Sequence, residues 1–217
     1  RIRKEHRNHF SLLNSLSYLP YILTGIDIIK RGNARRRRLT LLIWSSALFL
    51  SGIYIFNAPY IPFLTSKGVT NSEIFLINIA SSATSILVYY FVSKGKFLKA
   101  GSSYKNSIII RGIAYVLVSA SAFVSFMIFY SNIIGYALVG ISYALWNVSI
   151  SIAIYRSIRK RNTAFMLGVW SAINAMASAI SSEVSGVIYS FIGFPYIPII
   201  AFSVILVSYV TFSMGVE

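Results

Sequence analysis

Residues 35–64 read RRRRLTLLIWSSALFLSGIYIFNAPYIPFL, four arginines followed by a long run with no charged side chain. About 20 apolar residues in a helix cross the ~30 Å hydrocarbon layer of a bilayer. Lipid offers the backbone no hydrogen-bond partner, so a helix is the default form of such a run. The stretch therefore predicts a membrane-spanning helix that starts at a basic boundary.

The same pattern recurs along the chain, which has 217 residues, of which 56% are hydrophobic and 12% charged. A soluble domain has roughly 25% charged residues. The apolar runs do not alternate with polar residues as the strands of a β-barrel do. We predict an all-α, multi-pass membrane protein with six transmembrane helices at residues 39–64, 71–92, 107–130, 133–155, 163–188 and 196–214.

The positions of the Lys and Arg residues predict the orientation. Ten lie in residues 1–38, five in 94–111 and four in 156–161, and only Lys67 lies elsewhere. Loops rich in Lys and Arg stay on the cytoplasmic side, so we expect both termini in the cytoplasm and the chain in the plasma or inner membrane. Because the net charge of +15 is divided among loops, we expect a bilayer as partner and no nucleic acid.

Residues 1–38 are predicted to form a basic cytoplasmic linker, and 39–217 the helical bundle. Within the linker, the leucines of 10–29 recur at helical spacing, although Pro20 would kink or break a helix. One interpretation is an amphipathic helix lying on an anionic leaflet. The other, which we prefer, is a linker that packs on the membrane domain.

The second span has a recognisable start. Thr70 or Asn71 can cap a helix there, and Glu73 favours the positive end of the helix dipole.

A family resemblance follows from PYIPFL at 59–64, GVT at 68–70, the second span and the inner loop SKGK at 93–96. Together with six spans and basic loops after the second and fourth, they resemble a half of a major facilitator superfamily transporter. The resemblance implies a twelve-helix fold with 3+3 inverted repeats, of which this chain is the C-terminal half. It also implies an N-terminal six-helix half as partner. The loop at 93–105 lacks the Asp of that family's signature.

The residue types needed for most catalysis are absent from the predicted spans. The only Asp is Asp27, the only His residues are His6 and His9, and there is no Cys. Metal sites and Ser–His dyads need these side chains, and no phosphate-binding glycine loop is present. We therefore expect no enzyme activity, no metal and no cofactor.

Polar residues form stripes on the first, second, fourth and fifth spans, the four helices that line the cavity in the family that the chain resembles. Instead of contacting a solute, each of these polar side chains could form a hydrogen bond to a neighbouring helix. With no buried Lys, Arg or Asp expected, the cavity would suit a neutral or weakly polar solute, or a cation on aromatic faces. The candidate cavity residues are Tyr54, Asn57, Asn78, Tyr143, Asn147, Trp170 and Asn174.

The fifth span carries two stripes and one acid. The first stripe consists of small residues, which let helices approach closely; the second is polar and could face a cavity. Glu183 is either a proton-coupling or gating group or a solvated residue near the outer surface. The small stripe is Ala164, Gly168, Ala172, Ala175, Ala179, Ser182 and Gly186; the polar stripe is Trp170, Asn174, Ser178, Ser181 and Ser185.

The family resemblance implies a secondary active transporter, a permease for small solutes that works by alternating access between two six-helix halves. The alternative is a self-contained six-helix membrane protein, either a homodimeric half-transporter or a structural membrane partner.

Overall fold

The computed structural model describes residues 34–94, 99–123, 128–158 and 163–216. The predicted linker, including the helix at 10–29, lies almost entirely outside these ranges. The described residues form six long helices and a short 3-10 turn at Phe194–Tyr196. The helices are α1 (Ala34–Ser66), α2 (Asn71–Ser93), α3 (Ala100–Ser121), α4 (Ile128–Ser157), α5 (Thr163–Ile192) and α6 (Ile197–Val216).

Five of these regions are long and apolar enough to cross a membrane: α1, α2, α4, α5, and α6 with its preceding turn. The exception among the described helices is α3, which carries Lys105 and Arg111. The all-helical prediction is therefore confirmed for the described part of the chain, and five helical regions are compatible with a multi-pass membrane protein.

The predicted boundary between the third and fourth spans was wrong. Residues 128–130 were assigned to the third span, but α3 ends at Ser121 and α4 begins at Ile128. The polar pair Ser131–Asn132 lies inside α4. Asn132 is buried, donates to Ser121 Oγ (3.0 Å) and accepts from the Tyr60 hydroxyl (2.8 Å). This polar side chain forms hydrogen bonds to neighbouring helices and does not mark a loop.

Helix α1 continues through Pro59 and Pro62 to Ser66, beyond the predicted helix end at 64. A proline inside a helix leaves the carbonyl four residues earlier without its usual donor. For Pro59 that carbonyl belongs to Ile55, and the hydroxyl of Ser185 on α5 donates to it. The neighbouring helix thus satisfies the backbone group that the proline frees.

Helix α2 begins with a capping box. The Thr70 side chain accepts from the Glu73 N–H (3.4 Å), and the Glu73 carboxylate accepts from the Thr70 N–H (2.8 Å). Of the two predicted capping residues, Thr70 is the N-cap of α2.

Helices α1 and α4 hold the bundle together. α1 packs mainly against α5 and α6, α4 packs mainly against α2 and α3, and smaller contacts join α1 to α4 and α3 to α6. Gly52 allows α1 to approach α6 closely, since a Cβ there would lie 2.7 Å from the Ala201 carbonyl oxygen.

An aromatic core fills the space around α1. The rings of Phe49 and Trp146 stack at 4.5 Å, and those of Phe56 and Tyr115 at 4.4 Å. Tyr104 of α3 shares hydrogen bonds with Ser45 (2.8 Å) and Ser208 (3.1 Å) and so links α1, α3 and α6. This core fixes the position of α3, which matters for the site below.

Candidate solute-binding cavity

A cavity of about 370 Å³ lies between α1, α2 and α4, with one residue of α3 among its lining residues. Its size falls in the range of small-molecule sites, about 300–1,000 Å³. Apolar and polar side chains both contribute. The lining consists of Leu50, Ile53, Tyr54, Asn57, Tyr60, Ile61, Asn78, Ser81, Ser85, Arg111, Tyr136, Val139 and Tyr143.

Four of the seven residues proposed from the sequence line this cavity: Tyr54, Asn57, Asn78 and Tyr143. Tyr54, Asn78 and Tyr143 are exposed, so the cavity opens on the molecular surface. Asn57 is half-buried, and its side-chain oxygen accepts from the Tyr136 hydroxyl at 3.3 Å. The sequence stripes on α1, α2 and α4 thus converge on one site.

Asn147 does not line the cavity. Its side-chain amide donates to the Tyr89 hydroxyl at 2.9 Å and joins α4 to α2. Thr84 and Ser85 of α2 strengthen the same contact, because their hydroxyls donate to the carbonyls of Ala137 (2.8 Å) and Gly140 (2.9 Å). These bonds form one wall of the cavity.

Trp170 and Asn174 also lie away from the cavity lining. The indole N–H of Trp170 donates to Ser46 Oγ (2.9 Å), and the Ser46 hydroxyl donates to the Asn174 side-chain oxygen (3.1 Å). Together with the Ser185–Ile55 bond, they attach α5 to α1. For these three residues of the polar stripe, the helix-packing interpretation describes the contacts that they make.

Most of the small-residue stripe of α5 faces outward. Ala164, Gly168, Ala175, Ala179 and Gly186 are exposed. A Cβ placed on Gly168 or Gly186 would meet no atom within 4 Å. The two stripes therefore take opposite faces, the polar one against α1 and most of the small one on the surface.

Glu183 is exposed on α5 and is not among the cavity residues. Its position next to the outward small-residue face fits a solvated residue more simply than a buried coupling group.

Arg111 was missed by the sequence interpretation, which counted it with the basic inner loop and expected no buried arginine. Its side chain lines the cavity and is 1% exposed. Helix α3 begins at Ala100, so Arg111 stands about 16 Å along it at 1.5 Å per residue. The expectation of a cavity without a fixed positive charge was therefore wrong.

Of the three guanidinium nitrogens of Arg111, only Nε forms a hydrogen bond with the surrounding protein. Nε donates to Ser142 Oγ at 3.0 Å, and the Ser142 hydroxyl donates to the Ser107 carbonyl at 2.8 Å. The guanidinium carbon lies 5.7 Å from the centre of the Phe49 ring and 5.8 Å from that of Tyr115. Nη1 and Nη2 have no hydrogen-bond partner. Leaving a buried charge unpaired costs several kcal/mol, so this arrangement needs a functional explanation.

A sequence signal for Arg111 exists in its neighbours. Three isoleucines precede it and Gly-Ile-Ala follows, whereas a loop arginine usually stands among polar residues. An ionisable residue inside an apolar run is by default a functional candidate in a membrane protein.

No group of three or more His, Cys, Asp or Glu side chains that could hold a metal ion occurs within the described ranges. No protein-family model, curated protein or solved structure matches this chain.

Proposed function

We propose that this chain is the C-terminal six-helix half of a secondary active transporter of the major facilitator type, which moves small solutes by alternating access. The observation that carries the proposal is the cavity between α1, α2 and α4, which is partly polar and open at the surface. In transporters built from repeats, the substrate site lies near the midplane at the interface between the repeats. A second half, N-terminal to this chain, would cover the open side.

The pattern of helix contacts supports the 3+3 repeat of this proposal. Exchanging the first three helices with the last three turns the α1–α5 contact into α4–α2 and the α1–α6 contact into α4–α3. The smaller contacts, α1–α4 and α3–α6, map onto themselves. Such pairing is expected when two three-helix units share one fold.

The proposal retains the bilayer as partner and both termini in the cytoplasm, on the strength of the Lys and Arg distribution. Large apolar side chains are exposed along the outer helices, as at Ile113 and Val116 of α3 and Val207 and Val210 of α6. Lipid tails would cover these side chains.

A transport assay on the full-length protein in proteoliposomes tests the proposal. A panel of radiolabelled small solutes identifies one that accumulates under an imposed ion gradient. Asn78→Leu and Tyr143→Leu, in the cavity, are then expected to lower uptake at least tenfold. Asn174→Leu, a matched change at the α1–α5 contact, should leave uptake within about twofold. Equal effects of the three substitutions would remove the cavity assignment.

The outward small-residue face of α5 favours a second candidate, a self-contained six-helix protein that works as a homodimer. Small residues on exposed helix faces allow close helix association in membranes. The reading frame upstream of Arg1 separates the two candidates. A preceding six-span segment supports the half-transporter, and a nearby start codon supports the homodimer. In the second case, Gly168→Leu should convert a cross-linkable dimer into a monomer.

A further inference from the structure

The two terminal nitrogens of Arg111 are the unusual feature of the cavity. Both are buried and neither has a hydrogen-bond partner. Arginine keeps its positive charge in proteins, and its planar fork matches a carboxylate in a bidentate pair. The side chain is held by its Nε bond to Ser142 and by the rings of Phe49 and Tyr115. The fork is thus held in place while its two terminal nitrogens make no hydrogen bond.

The described residues supply no countercharge. The carboxylate of Glu73 is used in the capping box of α2. Glu183 is exposed on α5, which contributes no residue to the cavity. A ligand that brings a negative charge into the cavity would complete this site.

We propose that the cavity binds a small organic monoanion, a monocarboxylate with an aromatic or apolar body, through a bidentate pair with Arg111. The proposal rests on the transporter function above and names its substrate class. The carboxylate oxygens accept from Nη1 and Nη2. The body of the ligand packs against the tyrosines of the cavity, of which Tyr54 and Tyr143 stand at the exposed side.

Charge and size select this class. The cavity lining contains one cation and no anion, so a monoanion neutralises it, whereas a dianion would leave a buried excess charge. A volume of about 370 Å³ corresponds to roughly a dozen water molecules at ~30 Å³ each. Such a space accommodates a single ring with a short acidic side group.

The exclusion of water around the guanidinium increases the selectivity for a carboxylate over a neutral ligand. Hydrogen bonds between charged groups are stronger than neutral ones, and low dielectric increases the attraction further. Because Nη1 and Nη2 are closed off from solvent, a lining side chain moves when the carboxylate enters. The 3.3 Å bond from Tyr136 to Asn57 is the longest hydrogen bond in the lining and is the one we expect to open.

Ligand binding to the purified full-length protein in nanodiscs tests the proposal without requiring transport. The probes are benzoate, its neutral isostere benzamide, and inorganic phosphate, each measured by calorimetry at pH 7.5. We expect benzoate to bind at least tenfold more tightly than benzamide and than phosphate. Equal affinities for benzoate and benzamide would overturn the proposal, and so would tighter binding of phosphate.

Two substitutions assign the effect to the arginine. Arg111→Gln should abolish the preference for benzoate over benzamide. Arg111→Lys keeps the charge but loses the fork, so its preference for benzoate should lie between that of the unsubstituted protein and that of Arg111→Gln. If Arg111→Gln does not fold, Arg111→Lys and Ser142→Ala carry the test, because Ser142→Ala frees the guanidinium and should weaken benzoate without changing benzamide. Unchanged benzoate affinity in these variants contradicts the proposal.

The outcomes separate this inference from the transporter function. Transport of a neutral solute with no benzoate preference would remove the anion site and keep the transporter. Selective benzoate binding without any flux would keep the anion site and remove the transporter.

Discussion

Two polar regions of this protein resemble each other in sequence and differ in their hydrogen bonds. Between α1 and α5, Ser46 connects Trp170 to Asn174. Around the cavity, Arg111 has one of its three nitrogens bonded, and the nearby Tyr115 hydroxyl has no partner. The first region is complete within the chain, whereas the second leaves two buried guanidinium nitrogens without a hydrogen-bond partner.

The difference teaches how to separate structural from functional polarity in a membrane bundle. Serine and asparagine stripes commonly satisfy one another across helices, and they do so between α1 and α5. A charge left unpaired inside the bundle has no such explanation. For this reason the binding site that we propose is built on the charged residue rather than on the polar stripe.

The largest expected loss of stability comes from disturbing the contact between α2 and α4 beside the cavity. Gly140 lets α4 touch α2, and a Cβ there would lie 2.0 Å from the Ser81 carbonyl oxygen. Gly140→Ala should destabilise the protein by about 1–3 kcal/mol, the usual cost of overpacking. Thermal unfolding of the detergent-purified protein measures it. Gly168→Ala on the outward face of α5 is the matched control and should be neutral or slightly stabilising. Equal effects would mean that α2 does not approach α4 so closely.

A smaller change in unfolding free energy is expected when hydroxyl groups are removed from the two regions. Ser46→Ala removes the hydroxyl that serves both Trp170 and Asn174, so we expect a loss of about 1 kcal/mol. Tyr115→Phe removes a buried hydroxyl that makes no hydrogen bond of good geometry, so we expect a smaller loss. Chemical unfolding of both variants compares them, and a larger loss for Tyr115→Phe would reverse our description of the two regions.

The smallest effect is expected at Glu183, which belongs to neither region. Because the side chain is exposed, Glu183→Gln should change stability by less than about 0.5 kcal/mol, as surface substitutions usually do. Flux driven by a pH gradient should also persist. Loss of that flux in the variant would instead identify Glu183 as the proton-coupling group.

Much of the helical architecture could be predicted from the sequence, because apolar runs and flanking charges reflect the demands of a bilayer directly. The start of α2 was also readable from Thr70 and Glu73, since a capping box is local. The α3–α4 boundary was not, because the residues between Ser121 and Ile128 are as apolar as a span. The polar Asn132, which was taken as part of a loop, is bonded across helices.

The candidate site was predicted in part. Tyr54, Asn57, Asn78 and Tyr143 converge because their stripes face the same gap. Trp170 and Asn174 have the same spacing on a helix that packs against α1 instead, and spacing alone does not reveal the neighbour. Arg111 was misassigned because positive charges near a predicted helix end were all attributed to the loop. Its burial depends on how α3 packs against α4 and α6 and on the aromatic contacts of α3 with α1.

The bond from Ser185 to the Ile55 carbonyl has a mechanical consequence. This carbonyl lost its helical donor to Pro59, and the side-chain donor that replaces it comes from another helix. Moving α5 away from α1 would leave it bare and remove the support on one side of the proline. Separating the two helices therefore carries the added cost of leaving a backbone carbonyl inside the bundle unpaired.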